Sequence, residues 1–397
     1  MIPSLNGDCF MFLFRSIITA LNVSLLLTFV VFATCLNGAE ALVAKSLQPF
    51  VDSKVLAGAV TLVADKEKVL SVETVGYSDI SKKALMKEDN LFWIASMSKP
   101  ITGCAMMILV DEGKVSLEDP VEKFLPEFKG QMVVASKDSN QVVLKKPSHP
   151  ITIKNILNHT SGLPFKSPIE SPTLDLHPLA TRVQSYPMMP LDFEPDTKYQ
   201  YSNCGINTAG RIIEVVSGKP YEEFVKSRIF DPLGMKDTAS IPNAGQIRRI
   251  AKSYKGNQDK SDIEETQIAQ LKYPLDDVSR QSMPAGGFFS SARDVGQFAR
   301  MVLNGGTLDG KKILSEKAVK TMTSKQTGES IATGYGVGFT TNGKTCGHGG
   351  AYSTNMTIDF DKGLVFVFMV QNAGWRNDEG KKVLPAFMSS ASKSFGK

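Results

Sequence analysis

The strand-like segments of this 397-residue chain lie near its two ends, and that separation is the strongest constraint on its fold. GAVTLVA (58–64) and KVLSVETVGY (68–77) are Val-rich and alternating, with residues 64–68 as the turn between them. GVGFTTN (336–342), STNMTIDF (353–360) and LVFVFMVQN (364–372) read as three consecutive strands, the last two joined at Asp361-Lys362-Gly363. Two strands alone do not make a stable sheet, so the first pair needs the last three. The expected fold is α+β: one five-stranded antiparallel sheet flanked by N- and C-terminal helices, with a mainly helical lobe inserted between strands 2 and 3. The sheet lobe would take residues 42–95 and 330–397, and the helical lobe residues 96–329.

Apolar residues at helical spacing mark helices over 42–53, within 92–115, at 151–164, over 206–230 and 290–306, and over 378–393. Ser290 or Ser291 is positioned to cap the helix at 290–306, and Gly305 to close it. Residues 251–283 are polar and read as a surface excursion.

The first 41 residues read differently. No charge occurs from Ser16 to Ala39, Arg15 precedes that run, and Ala39-Glu40-Ala41 offers a small-x-small cleavage site. This is the layout of a secretory signal peptide, and it predicts an exported protein of the periplasm or cell envelope. Asp8 thins the positive end, whereas a start at Met11 restores it. The competing reading is an uncleaved anchor that associates the protein with the membrane, since the apolar run is long enough to span. Phe32-Ala33-Thr34-Cys35 makes a poor lipidation site.

Outside the leader three cysteines remain: Cys104, Cys204 and Cys346. The odd number and the lack of metal-type spacing favour buried thiols, with Cys204–Cys346 the one pairing worth testing. Lys and Arg number 45 against 40 Asp and Glu, scattered along the chain, which gives no nucleic-acid footprint. No metal or organic cofactor is implied.

Candidate chemistry begins with what is missing. There is no Gly-x-Ser-x-Gly elbow, and the four histidines carry no local triad signature. Ser96-Met97-Ser98-Lys99 instead opens the helix after the first strand pair. Residues i and i+3 share a helix face, so Ser96 and Lys99 would sit together, away from the core stripe of Ile101, Cys104, Ala105 and Ile108. At a helix start, free backbone N–H groups favour developing negative charge, and Pro100 fits a first turn. Ser-x-x-Lys alone is weak: Ser390–Lys393 and Ser394–Lys397 also match it, in the tail. Tyr201-Ser202-Asn203, before a helix, supplies a phenol to share the lysine's proton and an amide to hold the lysine or a substrate carbonyl. Cys346-Gly347-His348-Gly349-Gly350-Ala351 enters a strand whose glycines allow close approach of a ligand. The N–H groups of Ser96 and Ala351 are the candidate oxyanion donors.

Taken in order, FWIASMSKP, YQYSNCGIN and GHGGAYS resemble the serine β-lactamase and penicillin-binding-protein superfamily, in particular class C β-lactamases and their esterase and D-aminopeptidase relatives. ITIKNILNHTSGLP, IFDPLGMKDT and PAGGFFSSARDVGQFARMVLNGG agree, so the resemblance spans roughly residues 44–372. It implies Ser96 as acylated nucleophile, Lys99 as its partner and Tyr201 as general base or proton shuttle. It also implies substrate-binding or oxyanion positions at Asn203, His348, Gly349, Gly350 and Ala351, and a structural His159. The substrate would be a small-molecule or peptide ester or amide. His348 stands where the β-lactamases place a lysine for the substrate carboxylate, with Arg376 as a candidate replacement. That departure favours a carboxylesterase-like activity over a β-lactamase or D,D-/D-amino peptidase. A non-turnover penicillin-binding sensor is the third reading.

Overall fold

The computed structural model describes residues 43–396, so the leader expected over residues 1–41 lies outside the described residues. Helix α1 (43–52) leads into β1 (Gly58–Ala64) and β2 (Val69–Asp79). After the long middle of the chain come β3 (Thr345–Gly349), β4 (Asn355–Asp359), β5 (Leu364–Met369) and the terminal helix α6 (Val383–Phe395). The order across the sheet is β3-β4-β5-β1-β2, antiparallel throughout, with the two ends of the chain meeting where Val60 pairs with Met369 and Leu62 with Val367.

Both faces of the central strands are covered, which is why β1 and β5 are buried at every position and almost wholly apolar. Alternation still sorts the side chains. Phe366 and Phe368 pack with Val43, Leu47 and Phe387 of α1 and α6. Val365, Val367 and Met369 face the other way, into the main core shared with the helices of the chain's middle.

The strand count differs from the expected five. Two-residue strands, Thr340–Thr341 and Ala84–Leu85, extend the two edges to seven. The segment 336–342, expected as a full strand, yields only the first of these. Gly338 has φ of +77°, and a Cβ there would stand 2.5 Å from the Lys99 carbonyl oxygen. Val337 and Phe339 are therefore core residues of an irregular crossing over the nucleophile helix, and the third motif itself forms the neighbouring strand.

The helices of the middle follow their caps. Helix α2 (Ser98–Asp111) is buried at every residue from Ser98 to Leu109, so Lys99 is enclosed along with the core stripe. Helix α3 (Ile153–Leu157) is short and opens on a Thr152–Asn155 capping box. Helix α4 (Asn203–Ser217) is capped by Ser202, and the helix expected to run on to 230 stops at Gly218 and restarts after Pro220. Helix α5 (Ala292–Leu303) is capped by Ser291. Gly305 and Gly306 return N–H bonds to the Val302 and Met301 carbonyls, which closes it. The polar stretch 251–283 is more than an excursion: Ser253–Gly256 pairs with Ile263–Thr266, and Ile268, Leu271 and Met283 pack against Trp93, Phe289 and Tyr352. Cys104, Cys204 and Cys346 are buried free thiols.

Candidate active site

Ser96 lies in a 3-10 turn, Ala95–Met97, that enters α2, not on the α-helix itself. The residue before it, Ala95, has φ of +46°, an uncommon conformation for a side-chain-bearing residue. Neighbouring chain holds it there. Phe92–Trp93 pairs with Phe289–Ser290, Ile94 N–H donates to the Phe288 carbonyl at 2.9 Å, and Trp93 Nε1–H donates to the Gly286 carbonyl at 2.7 Å.

Lys99 is fully buried, with its Nζ 3.2 Å from Ser96 Oγ, 2.8 Å from Asn203 Oδ1 and 2.8 Å from the Ala285 carbonyl oxygen. Burial without a carboxylate partner pushes its pKa well below the ordinary lysine value. The two shorter contacts are to atoms that only accept. A neutral amine has two N–H groups for them and one lone pair left, which faces the single neighbour able to donate, the Ser96 hydroxyl. The arrangement thus suits a lysine that takes a proton from Ser96.

Burial raises the pKa of the Tyr201 phenol above the ordinary phenol value, outweighing the neighbouring Ser96, which favours the ionised form. Lys99 Nζ lies 4.6 Å from the centre of the Tyr201 ring, over its face.

The third motif arrives differently from expectation. His348 is buried, its Nδ1 2.7 Å from the Gly349 carbonyl oxygen and its Nε2 2.9 Å from the Tyr335 hydroxyl. A carbonyl only accepts, so Nδ1 carries the proton and Nε2 accepts from Tyr335. Burial, aided by the nearby Lys99 charge, drives the His348 pKa down to about 3, so the ring is neutral. It lies behind the Tyr201 ring, 6.1 Å between centroids, and presents no cation to a substrate. Arg376 does not supply one either: its guanidinium donates to the Ser53 and Ser261 carbonyls. Gly350 has a stricter role, because a Cβ there would stand 2.0 Å from Thr354 Oγ1 and 2.6 Å from the Ile94 carbonyl oxygen. Its smallness brings the end of β3 against the Ser96 turn.

Ser96, Asn203 and Ala351 line one cleft of about 240 Å³. Its other walls are largely apolar: Trp93, Phe165, Leu174 and Met283, with Gln270 and the single lining cation Lys166. Apart from Trp93, these come from the stretches 165–174 and 270–283, which carry none of the three motifs. Of the expected positions, Lys99, Tyr201, His348, Gly349 and Gly350 are not among the cleft-lining residues.

Three participants had little or no sequence signal. The Ala285 carbonyl is a backbone atom, and Tyr335 sits in a glycine-rich stretch without a motif. His159, expected to be structural, touches the site closely: its ring packs on Tyr201 with centroids 4.5 Å apart. Its Nδ1 accepts from Ser202 N–H at 3.2 Å. Burial lowers its pKa well below the ordinary imidazole value, so it too is neutral, with the proton on Nε2.

These features have clear counterparts among known proteins. The Beta-lactamase family model matches residues 43–384. Protein Rv1367c of Mycobacterium tuberculosis (strain ATCC 25618 / H37Rv) is 34% identical over 300 residues, 70% of each chain. Esterase EstB of Burkholderia gladioli is 30% identical over 218 residues, 51% of each. Among solved structures, EstCE1, a hydrolase with promiscuous acyltransferase activity, superimposes with a TM-score of 0.75 at 21% identity, over 90% of this chain and 99% of its own. At that identity the superposition shows the shared fold. The extent of the family match, with the similarity to Rv1367c over two thirds of both chains, places the protein among the serine hydrolases: it belongs to the Beta-lactamase family.

Proposed function

We propose that the protein is an exported esterase that works through an acyl-enzyme on Ser96, with neutral esters of apolar acyl groups as its substrates. The observation that carries this reading is the set of three contacts around buried Lys99, two to obligate acceptors and one to the Ser96 hydroxyl. Lys99 takes the Ser96 proton as the oxygen attacks the ester carbonyl. This reading gives the oxyanion to the N–H groups of Ser96 and Ala351, both of which line the cleft. The Tyr201 phenol gives a proton to the departing alkoxide, which leaves a phenolate beside the Lys99 ammonium; in deacylation water re-protonates the phenolate and Lys99 returns its proton to the Ser96 oxygen. Water then attacks the acyl-enzyme by the reverse path, and the acid leaves.

The cleft supports the substrate class. Its walls are mostly Trp, Phe, Leu, Met and Ala, and it holds no carboxylate side chain. The neutral, buried His348 and the distant Arg376 leave the third motif without a charge for a lactam carboxylate. The name of the EstB relative points the same way. Export rests on the leader sequence, and the N-terminus of protein recovered from the cell envelope or medium tests it. An intact leader on secreted material would contradict cleavage.

The activity test compares a p-nitrophenyl butyrate assay with a chromogenic cephalosporin assay, using wild type, Ser96→Ala and Tyr201→Phe. Ester turnover that vanishes in Ser96→Ala, with little cephalosporin cleavage, is the expected result. Dominant cephalosporin turnover would overturn the substrate class, and a stable adduct without product release would overturn turnover itself.

A further inference from the structure

The two residues that flank Tyr201 are held by one residue. Gln200 donates its backbone N–H to the His159 carbonyl at 2.9 Å, and Ser202 donates its N–H to His159 Nδ1 at 3.2 Å. Between those two bonds the Tyr201 ring lies on the imidazole itself. The following residues continue the same docking. The Ser202 hydroxyl donates to the Pro164 carbonyl at 2.7 Å, and Asn203 N–H donates to the Phe165 carbonyl at 3.0 Å. Residues 159–165 are thus the template against which 200–203 is shaped, and His159 holds both sides of the phenol.

Two features of His159 are unfavourable on their own. Its backbone has φ of +65°, and its buried Nε2 finds no hydrogen-bond partner. That N–H is surrounded instead by the rings of Tyr199, Tyr201 and Tyr335, at centroid distances of 5.7, 4.5 and 4.6 Å. An apolar ring would fill the same space without the stranded Nε2. A buried donor left unpaired, on a backbone in the left-handed region, persists where the remaining contacts of that residue are needed.

We infer that His159 is a positioning residue for the proton-transfer step: its Nδ1 and its carbonyl fix the backbone on either side of Tyr201, so that the phenol stays at Ser96 and Asn203 Oδ1 stays at Lys99. The inference rests on the roles proposed above for Ser96, Lys99 and Tyr201. His159 is not among the residues lining the cleft, and it acts on the reaction only through the segment it holds.

The chemistry of the ring says which atom matters. Asparagine places its Oδ1 close to where Nδ1 stands, accepts a hydrogen bond and tolerates positive φ. Glutamine carries its amide one atom further out. Phenylalanine fills the ring's volume and leaves the Ser202 N–H buried without an acceptor.

The test measures kcat and KM for p-nitrophenyl butyrate with the full chain, for wild type, His159→Asn, His159→Gln and His159→Phe. Thermal unfolding gives the folded fraction of each, and Ser96→Ala and Tyr201→Phe are run alongside. The asparagine variant is expected to keep most of the wild-type kcat. The glutamine and phenylalanine variants are expected to lose about 10- to 100-fold in kcat with KM little changed, the scale on which small misplacements of reacting groups act. If the phenylalanine variant does not fold, the asparagine–glutamine comparison decides alone. Equal kcat per folded molecule in all the variants, or asparagine falling as far as glutamine, overturns the inference. Turnover persisting in Ser96→Ala would instead overturn the catalytic assignment beneath it.

Discussion

The Lys99 nitrogen stands over the face of the Tyr201 ring, 4.6 Å from its centre, and not at the phenol oxygen. Lysine and phenol therefore meet the nucleophile separately: Lys99 Nζ bonds the Ser96 hydroxyl at 3.2 Å, and the Tyr201 phenol neighbours Ser96 on its own account. The ring face also favours the ammonium that forms when Lys99 takes a proton. This geometry divides the work, with Lys99 removing the Ser96 proton and Tyr201 supplying one to the leaving group.

That division predicts a leaving-group dependence. Tyr201→Phe should lower kcat by about 10²- to 10⁴-fold for alkyl esters, whose alkoxide must be protonated as it departs. The loss should be smaller for p-nitrophenyl esters, whose product is stable as an anion. Lys99→Met should lose activity towards both. Parallel losses for both esters in Tyr201→Phe, measured by steady-state kinetics, would contradict the assigned role.

The pH–rate profile follows from the direction of each shift. Lys99 is a base only when deprotonated, and burial moves that event well below the ordinary lysine value of about 10.4. kcat/KM should therefore rise with pH over a limb that lies well under that value. Tyr201 acts as an acid while protonated, and burial raises its pKa, so the phenol imposes no alkaline loss below its ordinary value of about 10. A rate that climbs only as pH approaches 10 would contradict a depressed Lys99.

His348 makes a stability prediction. Its pKa is about 3 in the fold and about 6.5 in an unfolded chain, so between those values the unfolded state binds the extra proton. Its contribution is fully present above pH 6.5 and is lost as pH falls towards 3, on the order of 5 kcal/mol in all. His348→Gln removes this titration, and its amide oxygen is able to accept from Tyr335. The melting temperature of wild type should fall more steeply than that of His348→Gln as pH drops from 6.5 to 4. Parallel curves would contradict a buried neutral imidazole.

Gly350→Ala tests the approach of the third motif. The added Cβ meets Thr354 Oγ1 and the Ile94 carbonyl oxygen, well inside contact distance. The end of β3 must move away from the Ser96 turn, at a cost of about 1–3 kcal/mol, the typical range for overpacking. Thermal unfolding and kcat should both fall. A variant with native stability and rate would contradict the close approach.

Much of the frame was legible from local pattern alone. Strands 58–64 and 364–372 announced themselves by Val-rich composition, and their separation forced the ends of the chain together. Ser291 and Gly305 ended their helix as turn chemistry requires. The failures have a common cause, since tertiary packing overrode local pattern. Val337 and Phe339 alternate like a strand, yet Gly338 lies against the Lys99 backbone and the segment crosses α2 instead. Lys99 needs polar partners that its own motif does not supply, and the carbonyl of Ala285, far off in sequence, is one of them. His348 carried a motif position, and only the structure shows both ring nitrogens already engaged.

The central claim is that Ser96 carries the acyl group. The most direct measurement is mass spectrometry of the full chain quenched during ester turnover, followed by peptide mapping of the acyl adduct. The account predicts one acyl group, on the peptide containing Ser96, absent in Ser96→Ala together with turnover. An adduct on another residue, or undiminished hydrolysis by Ser96→Ala, would contradict it.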